Sequence, residues 1–326
     1  MIRRVALAGF GAVAENAHLP ALAQVGVAVA AVFDPSPERR AAAERLVAGA
    51  RVYARLDELL AAERTLDALI VCSPPKFHAE AVLAGLRAGL HVLCEKPLTL
   101  DCAAFAALRD EAALRDRCVY TVDNWAHAPA LARLLDVAAS GRLGRICRAE
   151  LRVARTKPSA SAVPGDWRKD PAIAGGGILV DHGWHNLYLL RRLLGPGLEL
   201  DSAQLQPAGA VDEVVDLTFR APGAVGAIHL TWRAAERANF ASVTGDDGTI
   251  ELNDDILVVT VGGRTQTERF PQKLSAGSAH PDWLAAMWPA FLAECAGRSR
   301  GENLAAAEFC LNVLHSAYRA TETARA

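Results

Sequence analysis

Near its start the chain reads Val5-Ala6-Leu7-Ala8-Gly9-Phe10-Gly11-Ala12-Val13-Ala14, and no other stretch limits the fold as tightly. Four apolar residues in a row suit a strand buried on both faces, as in a parallel sheet. The residues after it have separate tasks. Gly9 turns the chain out of the strand, Gly11 lets a ligand approach the backbone, and Ala14 is small enough for the next helix to pack on the strand. That helix is predicted to run to about Val25, and Val27 to Phe33 forms a second apolar strand closed by Asp34. The acid stands about 20 residues beyond the turn, where a carboxylate accepts hydrogen bonds from a ribose. This unit is expected to hold a dinucleotide. The pyrophosphate would lie on the helix N-terminus over Gly9, Phe10, Gly11, Ala12 and Val13, and the adenosine ribose on Asp34. The charge of Asp34 repels a 2′-phosphate and favours NAD, while Arg39 and Arg40 nearby leave NADP open.

Strand and helix go on alternating. Leu56 to Ala62 reads as a short helix, Asp67 to Cys72 as a strand running into Ser73-Pro74-Pro75, and Lys76 to Ala88 as a helix. His91 to Cys94 is a strand ending in Glu95-Lys96-Pro97, Leu100 to Arg115 a helix, and Cys118 to Val122 a last strand. Such alternation predicts a doubly wound parallel sheet, a Rossmann domain, whose ligands bind at the carboxyl ends of the strands. Ser73 and Lys96 stand at that edge, and Pro97 holds Lys96 extended. The ordinary alternative for Lys96 is a loop cation paired with Glu95. The domain is assigned to residues 1–122, with 123–326 as a second, α+β domain.

In that second part short strands are separated by tight turns. They are expected at Ile146 to Val153, Val211 to Phe219, Ala224 to Trp232, Phe240 to Thr244, Thr249 to Leu252 and Ile256 to Val261, making an open, mainly antiparallel sheet. Helices are expected at Pro129 to Ser140, Trp283 to Cys295 and Leu304 to Thr323. Gly175-Gly176-Gly177 introduces a further helix that runs to Leu194, where Gly195-Pro196-Gly197 stops it. In a regular helix Asp181 and His185 lie one turn apart, so the carboxylate can hold and polarise the imidazole for acid–base work. A merely solvated helix face is the plain alternative.

Charge and cysteine usage narrow the class. The 326 residues carry a formal net charge of −2, which implies neither a nucleic-acid partner nor a membrane surface. Seven irregularly spaced cysteines without a Cys-x-x-Cys pair fit reduced thiols in a cytoplasmic protein. No His/Cys cluster has metal-ligand spacing, so no metal is expected. Arg3-Arg4 followed by an apolar run and Ala12-Val13-Ala14 imitates a short signal peptide. The dinucleotide reading explains the same residues better.

Together these motifs resemble the glucose–fructose oxidoreductase / inositol dehydrogenase / MocA family along essentially the whole chain. The resemblance rests on Gly9 to Ala14, His18-Leu19-Pro20-Ala21-Leu22, Ser73-Pro74 with His78, Ala88-Gly89-Leu90-His91-Val92-Leu93-Cys94-Glu95-Lys96-Pro97, Trp167-Arg168, and Gly175 through Asp181-x-Gly-x-His185. It implies an NAD(P)-dependent oxidoreductase acting on a sugar, sugar derivative or cyclitol. Lys96, Asp181 and His185 are implied to line the nicotinamide site. Cys72, Ser73, Pro74, His78 and Glu95 are candidates for the rest of the cofactor, and Asn124, Trp125, Trp167, Arg168 and His182 for the substrate. A homodimer or homotetramer built through the open sheet is implied as well. Ser73-Pro74-Pro75 departs from the more usual Thr-Pro-Asn, and Asp123-Asn124-Trp125-Ala126-His127 from the arginine-aromatic segment of many relatives. The departures border the substrate and leave its identity open. On this reading His185 takes a hydroxyl proton, Asp181 stabilises the imidazolium and Lys96 stabilises charge on the oxygen. Two alternatives share the fold: glycoside cleavage through transient oxidation, and a cofactor-sensing regulator without turnover.

Overall fold

A computed structural model describes residues 2–158, 170–208, 211–277 and 279–323. The chain forms two compact units, one of Met1–Asn124, Ala160–Gly175 and Ala279–Leu311, the other of Trp125–Ser159, Gly176–Ser278 and Asn312–Ala326.

In the first unit β1 (Arg4–Ala8) leads through the glycine turn into a π-helical turn, Ala14–His18, and α1 (Leu19–Gln24). β2 (Ala28–Phe33), α2 (Pro37–Leu46), β3 (Arg51–Tyr53), α3 (Leu56–Ala62), β4 (Ala68–Val71), α4 (His78–Arg87), β5 (His91–Cys94), α5 (Cys102–Arg115) and β6 (Val119–Thr121) follow. The six strands are parallel in the order β3-β2-β1-β4-β5-β6, the doubly wound sheet expected. β4 is buried at every residue, as its apolar run requires. Two elements carry no strong signal in the sequence. Helix α2 has a cap, with Ser36 Oγ accepting the Arg39 N–H and Pro37 in the first turn, but its mean character is polar. Strand β3 has three residues and exists by pairing with β2.

The second unit contains α6 (Pro129–Ala139), β7 (Ile146–Ala154), α8 (Trp184–Leu194) and strands β8 (Glu199–Ala208), β9 (Val211–Ala221), β10 (Ala224–Thr231), β11 (Ala238–Gly245), β12 (Gly248–Asn253), β13 (Ile256–Val261) and β14 (Arg264–Arg269). A short helix α7 (Pro171–Ala174) lies before the glycines, within the first unit. The sheet order is β14-β13-β12-β11-β7-β10-β9-β8, antiparallel except that β7 and β10 run parallel. Alternate residues such as Leu151, Val153, Leu217, Phe219, Ile228, Leu230, Ile250 and Leu252 are buried. Each contributes about 1.5–3 kcal/mol relative to exposure. Helix α8 lies close over β10 because Gly226 has no side chain: a Cβ there would come within 2.9 Å of Leu190 Cδ2. The outer strands β8 and β14 are not expected from sequence. Every residue of β14 is exposed, so no apolar alternation marks it, and only pairing with β13 makes it a strand.

The last helices, α9 (Pro281–Cys295) and α10 (Glu302–Thr323), depart from the division at residue 122. Leu284, Met287, Trp288 and Phe291 of α9 join Val5, Leu7, Phe10, Leu22 and Tyr120 in one core. Residues 279–311 therefore belong to the first unit and not to a continuous second domain. The reason is burial: α9 is apolar enough to cover a face of the parallel sheet, and Phe291 meets Tyr120 edge to face at 5.8 Å.

Candidate active site

At the carboxyl edge of the parallel sheet the glycine turn is held from both sides. Gly9 has φ of +94°, and a Cβ on it would lie 2.7 Å from the Ser73 backbone nitrogen, so only glycine fits. Its N–H donates to Phe33 O at 2.8 Å. Gly11 is the opposite case: nothing lies within 4 Å of the Cβ position, and the backbone is open to an approaching group. Asp34, 8% exposed, accepts the Phe10 N–H at 2.7 Å and the Ser36 N–H at 2.9 Å. It thus shapes the turn as well as presenting its remaining lone pairs. Arg39 donates to Phe10 O at 2.5 Å and to Glu15 at 2.8 Å, with its guanidinium over the Phe10 ring at 5.7 Å. Arg40 donates to the carbonyls of Asp34 and Pro35. Both arginines brace the turn from outside. Ser73 Oγ is buried here and has no hydrogen-bond partner among the described residues. An open glycine face, a helix start and an orphaned hydroxyl at one strand edge fit a dinucleotide, which Gly9, Phe10, Gly11, Ala12, Val13 and Asp34 would hold.

Under that edge lies a polar cluster that the sequence reveals only in part. His78 is fully buried, and its ring nitrogens stand 2.7 Å from Pro97 O and 2.7 Å from Ser73 O. A neutral imidazole has one N–H to donate, so it serves one of the two at a time. Burial holds its pKa below the ordinary value, against the pull of both carbonyls. The ring clamps the loop after β4 to the turn after β5, where the Lys96–Pro97 peptide is cis. Glu95 does not rely on Lys96 for its partner: His18 Nε2 lies 2.8 Å from Glu95 Oε1, and the Lys96 N–H donates to Oε2 at 3.3 Å. His18 is fully buried, which by itself lowers its pKa, but Cys72 and Glu95 outweigh burial and raise it to about 10. Glu95 is held below the usual carboxylate range, since His18 and the charge of Lys96 overcome its burial. Cys72 is 5% exposed, so its sulfur serves the cluster and not the surface.

In the second unit the glycines open onto a site of their own. A Cβ on Gly177 would strike the Asp212 carbonyl, and one on Gly176 the Tyr318 hydroxyl. Asp212, 4% exposed, accepts the Gly177 N–H at 2.9 Å, the Leu179 N–H at 2.8 Å and the Tyr318 hydroxyl at 2.7 Å. A carboxylate from β9 therefore caps a helix start distant in sequence. Burial and this carboxylate push the Tyr318 hydroxyl pKa up, so it remains a donor. The helix itself differs from expectation. Leu179–Gly183 is a π-helical turn, and the α-helix begins at Trp184. Asp181 Oδ2 stands 3.6 Å from His182 Nε2, and His185 is 7% exposed with its ring stacked on Trp125 at 5.4 Å and 18°. Trp125 also meets His182 edge to face at 6.3 Å.

Trp125, His182 and His185 thus come together in the second unit, with Asp181 beside His182. Lys96 and Asn124 belong to the first unit, and Asn124 Oδ1 is buried without a hydrogen-bond partner among the described residues. Trp167 and Arg168 lie outside the described residues. Arg155, just past β7, is a residue that sequence reasoning missed. It is 5% exposed, donates to Ala154 O, Ala238 O and Asn239 Oδ1, and places its guanidinium 5.9 Å from the Trp125 ring. Burial, then the charge of Arg237, lowers its pKa to about 10, against Asp254 and Asp181. Nothing in the sequence marks Arg155 among so many arginines. Asp212 had a faint signal, an acid at the head of an apolar strand.

Residues 3–123 match the oxidoreductase family with an NAD-binding Rossmann fold, and residues 131–251 match the GFO/IDH/MocA C-terminal domain. The chain belongs to this family. Levoglucosan dehydrogenase of Pseudarthrobacter phenanthrenivorans is 27% identical over 253 residues, 67% of this chain and 64% of that protein. The chain therefore matches just under two thirds of that relative's length. A dTDP-3,4-didehydro-2,6-dideoxy-alpha-D-glucose 3-reductase of Streptomyces violaceoruber is 36% identical over 207 residues, 62% of this chain and 58% of the relative. Among solved structures, levoglucosan dehydrogenase with NADH superposes with a TM-score of 0.84 at 21% identity, covering 98% of this chain and 97% of the other. The 3-ketoreductase of Actinomadura kijaniata with NADP and TDP-benzene gives 0.80 at 22%, covering 97% and 98%. These likenesses establish the fold over nearly the whole chain. The first domain is an NAD(P)-binding Rossmann domain, and no helix among the described residues is long and apolar enough to cross a membrane.

Proposed function

We propose that the protein is an NAD-dependent oxidoreductase acting on a carbinol carbon of a sugar, a sugar derivative or a cyclitol. The observation that carries the reading is the glycine turn open at Gly11 and tied to Asp34, joined in one chain to the Trp125–His185 stack. When bound, the nicotinamide accepts or supplies the hydride. The chain's own residues handle the proton and the charge. His185, held by the Trp125 indole, takes the hydroxyl proton; Asp181 stabilises the imidazolium; Lys96, fixed by the Glu95 to Pro97 turn, stabilises charge on the same oxygen. Asp34 favours NAD by repelling a 2′-phosphate, and both nearby arginines are occupied with the turn. Relatives acting on levoglucosan, inositol and 1,5-anhydrofructose make anhydrosugars and cyclitols the first substrates to try. The wide C-terminal sheet supports assembly into a dimer or tetramer. Seven free cysteines support a reducing, cytoplasmic setting.

The test is NADH absorbance with those substrates, for wild type, Lys96→Met, His185→Asn and the double variant. Each single change is expected to leave NAD affinity and melting temperature near wild type and lower kcat about 10²–10⁴-fold. The double variant should be little worse than the poorer single one. Turnover that survives both single changes refutes the assignment.

A further inference from the structure

One buried cation has no part in the proposed reaction. Arg155 follows β7, is 5% exposed, and belongs to the same unit as Trp125, His182 and His185. A guanidinium has five N–H donors and a fixed positive charge. Nη1 of Arg155 donates to Ala154 O at 2.8 Å and to Ala238 O at 3.1 Å, and Nη2 donates to Asn239 Oδ1 at 3.2 Å. All three acceptors are neutral. Nε is buried and has no hydrogen-bond partner among the described residues. Two donors therefore remain, the Nε–H and one N–H of Nη2, from the two nitrogens of one edge of the planar fork. Such an edge takes a carboxylate through two parallel hydrogen bonds.

The charge is met as incompletely as the donors. Arg155 forms no ion pair among the described residues. Relief is indirect: Asn239, which accepts from Arg155, donates its backbone N–H to Asp254 Oδ1 at 3.1 Å. Asp254 is occupied elsewhere too, accepting the Ser275 N–H at 3.0 Å and the Ser275 hydroxyl at 2.8 Å. Burial, then the like charge of Arg237, lowers the Arg155 pKa only to about 10, so the cation persists at neutral pH. Buried charges are ordinarily paired, because neutral acceptors offset only part of the desolvation cost. The indole of Trp125 shows where the missing anion would sit. Arg155 Cζ stands 5.9 Å from the ring centroid, and the His185 ring is stacked on the same indole at 5.4 Å. The guanidinium and the proton acceptor thus border one side chain, within reach of a single monosaccharide.

We propose that the Nε/Nη2 edge of Arg155 binds a carboxylate of the substrate, which makes the substrate a sugar acid such as a hexuronate or an aldonate. This names a substrate class for the sugar oxidoreductase proposed above and rests on that reading. One edge of a guanidinium matches a carboxylate, with its two oxygens and single charge. A phosphate monoester brings three oxygens and a charge of about −1.5 to −2, more than this edge can meet. The carboxylate on Arg155 also fixes which carbinol faces His185, so one contact selects both the substrate and the hydroxyl that is oxidised.

The NAD-loaded full chain is titrated with hexuronates and aldonates, each beside its uncharged amide, its parent sugar and the 6-phosphate of that sugar. Calorimetry reads binding, and NADH absorbance reads turnover. At least one acid is expected to bind and to exceed its amide and its parent in kcat/KM by about 10²-fold or more. Arg155→Gln should bring that acid down to the level of its amide while NAD affinity is kept. Arg155→Lys retains the charge without the fork and should recover only part of the preference. The wild-type ratio of acid to amide decides the matter even if a variant is destabilised. Amides or parent sugars handled as well as the acids, a preference for phosphates, no acid bound, or an acid preference that survives Arg155→Gln overturns the proposal. An acid that binds through Arg155 and is never oxidised upholds the carboxylate site and overturns the oxidoreductase reading instead.

Discussion

Replacing Asp212 by alanine removes the acceptor of the Gly177 N–H, the Leu179 N–H and the Tyr318 hydroxyl together. The carboxylate is 4% exposed, so water has little room to substitute for it. Hydrogen bonds to a charged acceptor contribute about 1.5–3 kcal/mol each. The donors of Gly177 and Tyr318 share Oδ1 and are not independent, so the expected loss is about 4 kcal/mol, below the simple sum. Tyr318→Phe takes away a single donor and leaves the carboxylate with both backbone N–H groups, which gives about 1.5 kcal/mol. Asp212→Asn keeps one carbonyl oxygen and should fall between them. Urea unfolding followed by tryptophan fluorescence reads all three against wild type, with the slope checked for constancy. Because the capped segment leads into the π-helical turn that carries Asp181, Tyr318→Phe should also lower kcat while leaving NAD affinity unchanged. An Asp212→Ala protein within about 1 kcal/mol of wild type, or a reversed order of the variants, refutes the account of the cap.

Three further outcomes follow from the first unit. Asp34→Ser should shift the ratio of NAD to NADP dissociation constants towards NADP and lower the affinity for both, because the Phe10 N–H loses its acceptor; titration of each cofactor reads this. His18→Phe leaves Glu95 without its partner and should cost about 3–5 kcal/mol. Since the His18 pKa rises from 6.5 to about 10 on folding, that stabilisation is full below pH 6.5 and is lost as pH rises through about 10. The gap in unfolding free energy between wild type and His18→Phe should therefore narrow between pH 6 and 10, and a constant gap would count against the buried pair. Gly9→Ala must place a Cβ at φ +94° and 2.7 Å from the Ser73 nitrogen. It should lose at least about 1–3 kcal/mol and weaken NAD binding, measured by thermal melts and titration.

Features set by neighbours along the chain are legible in the sequence alone. Gly9, Gly11, Ala14 and Asp34 state local backbone demands within one strand–turn–helix–strand unit, and the apolar runs from Val5 to Val122 announce a parallel sheet. The antiparallel strands β9 to β13 are readable from tight turns and alternation for the same reason. What needed the tertiary structure was every interaction whose partners are far apart. His18 finds Glu95 across 77 residues, Asp212 reaches back 35 to Gly177, and Trp125 stacks on His185. No local periodicity encodes these pairs, because each forms only after loops have closed and water has been excluded. Likewise β8 and β14 are strands by virtue of their partners, and α9 joins the first sheet because burial there outweighs chain order. The π-helical turn at Leu179–Gly183 is the sharpest instance. Its residues read as a regular helix, and Asp212, contributed by a strand, helps to fix where that helix begins.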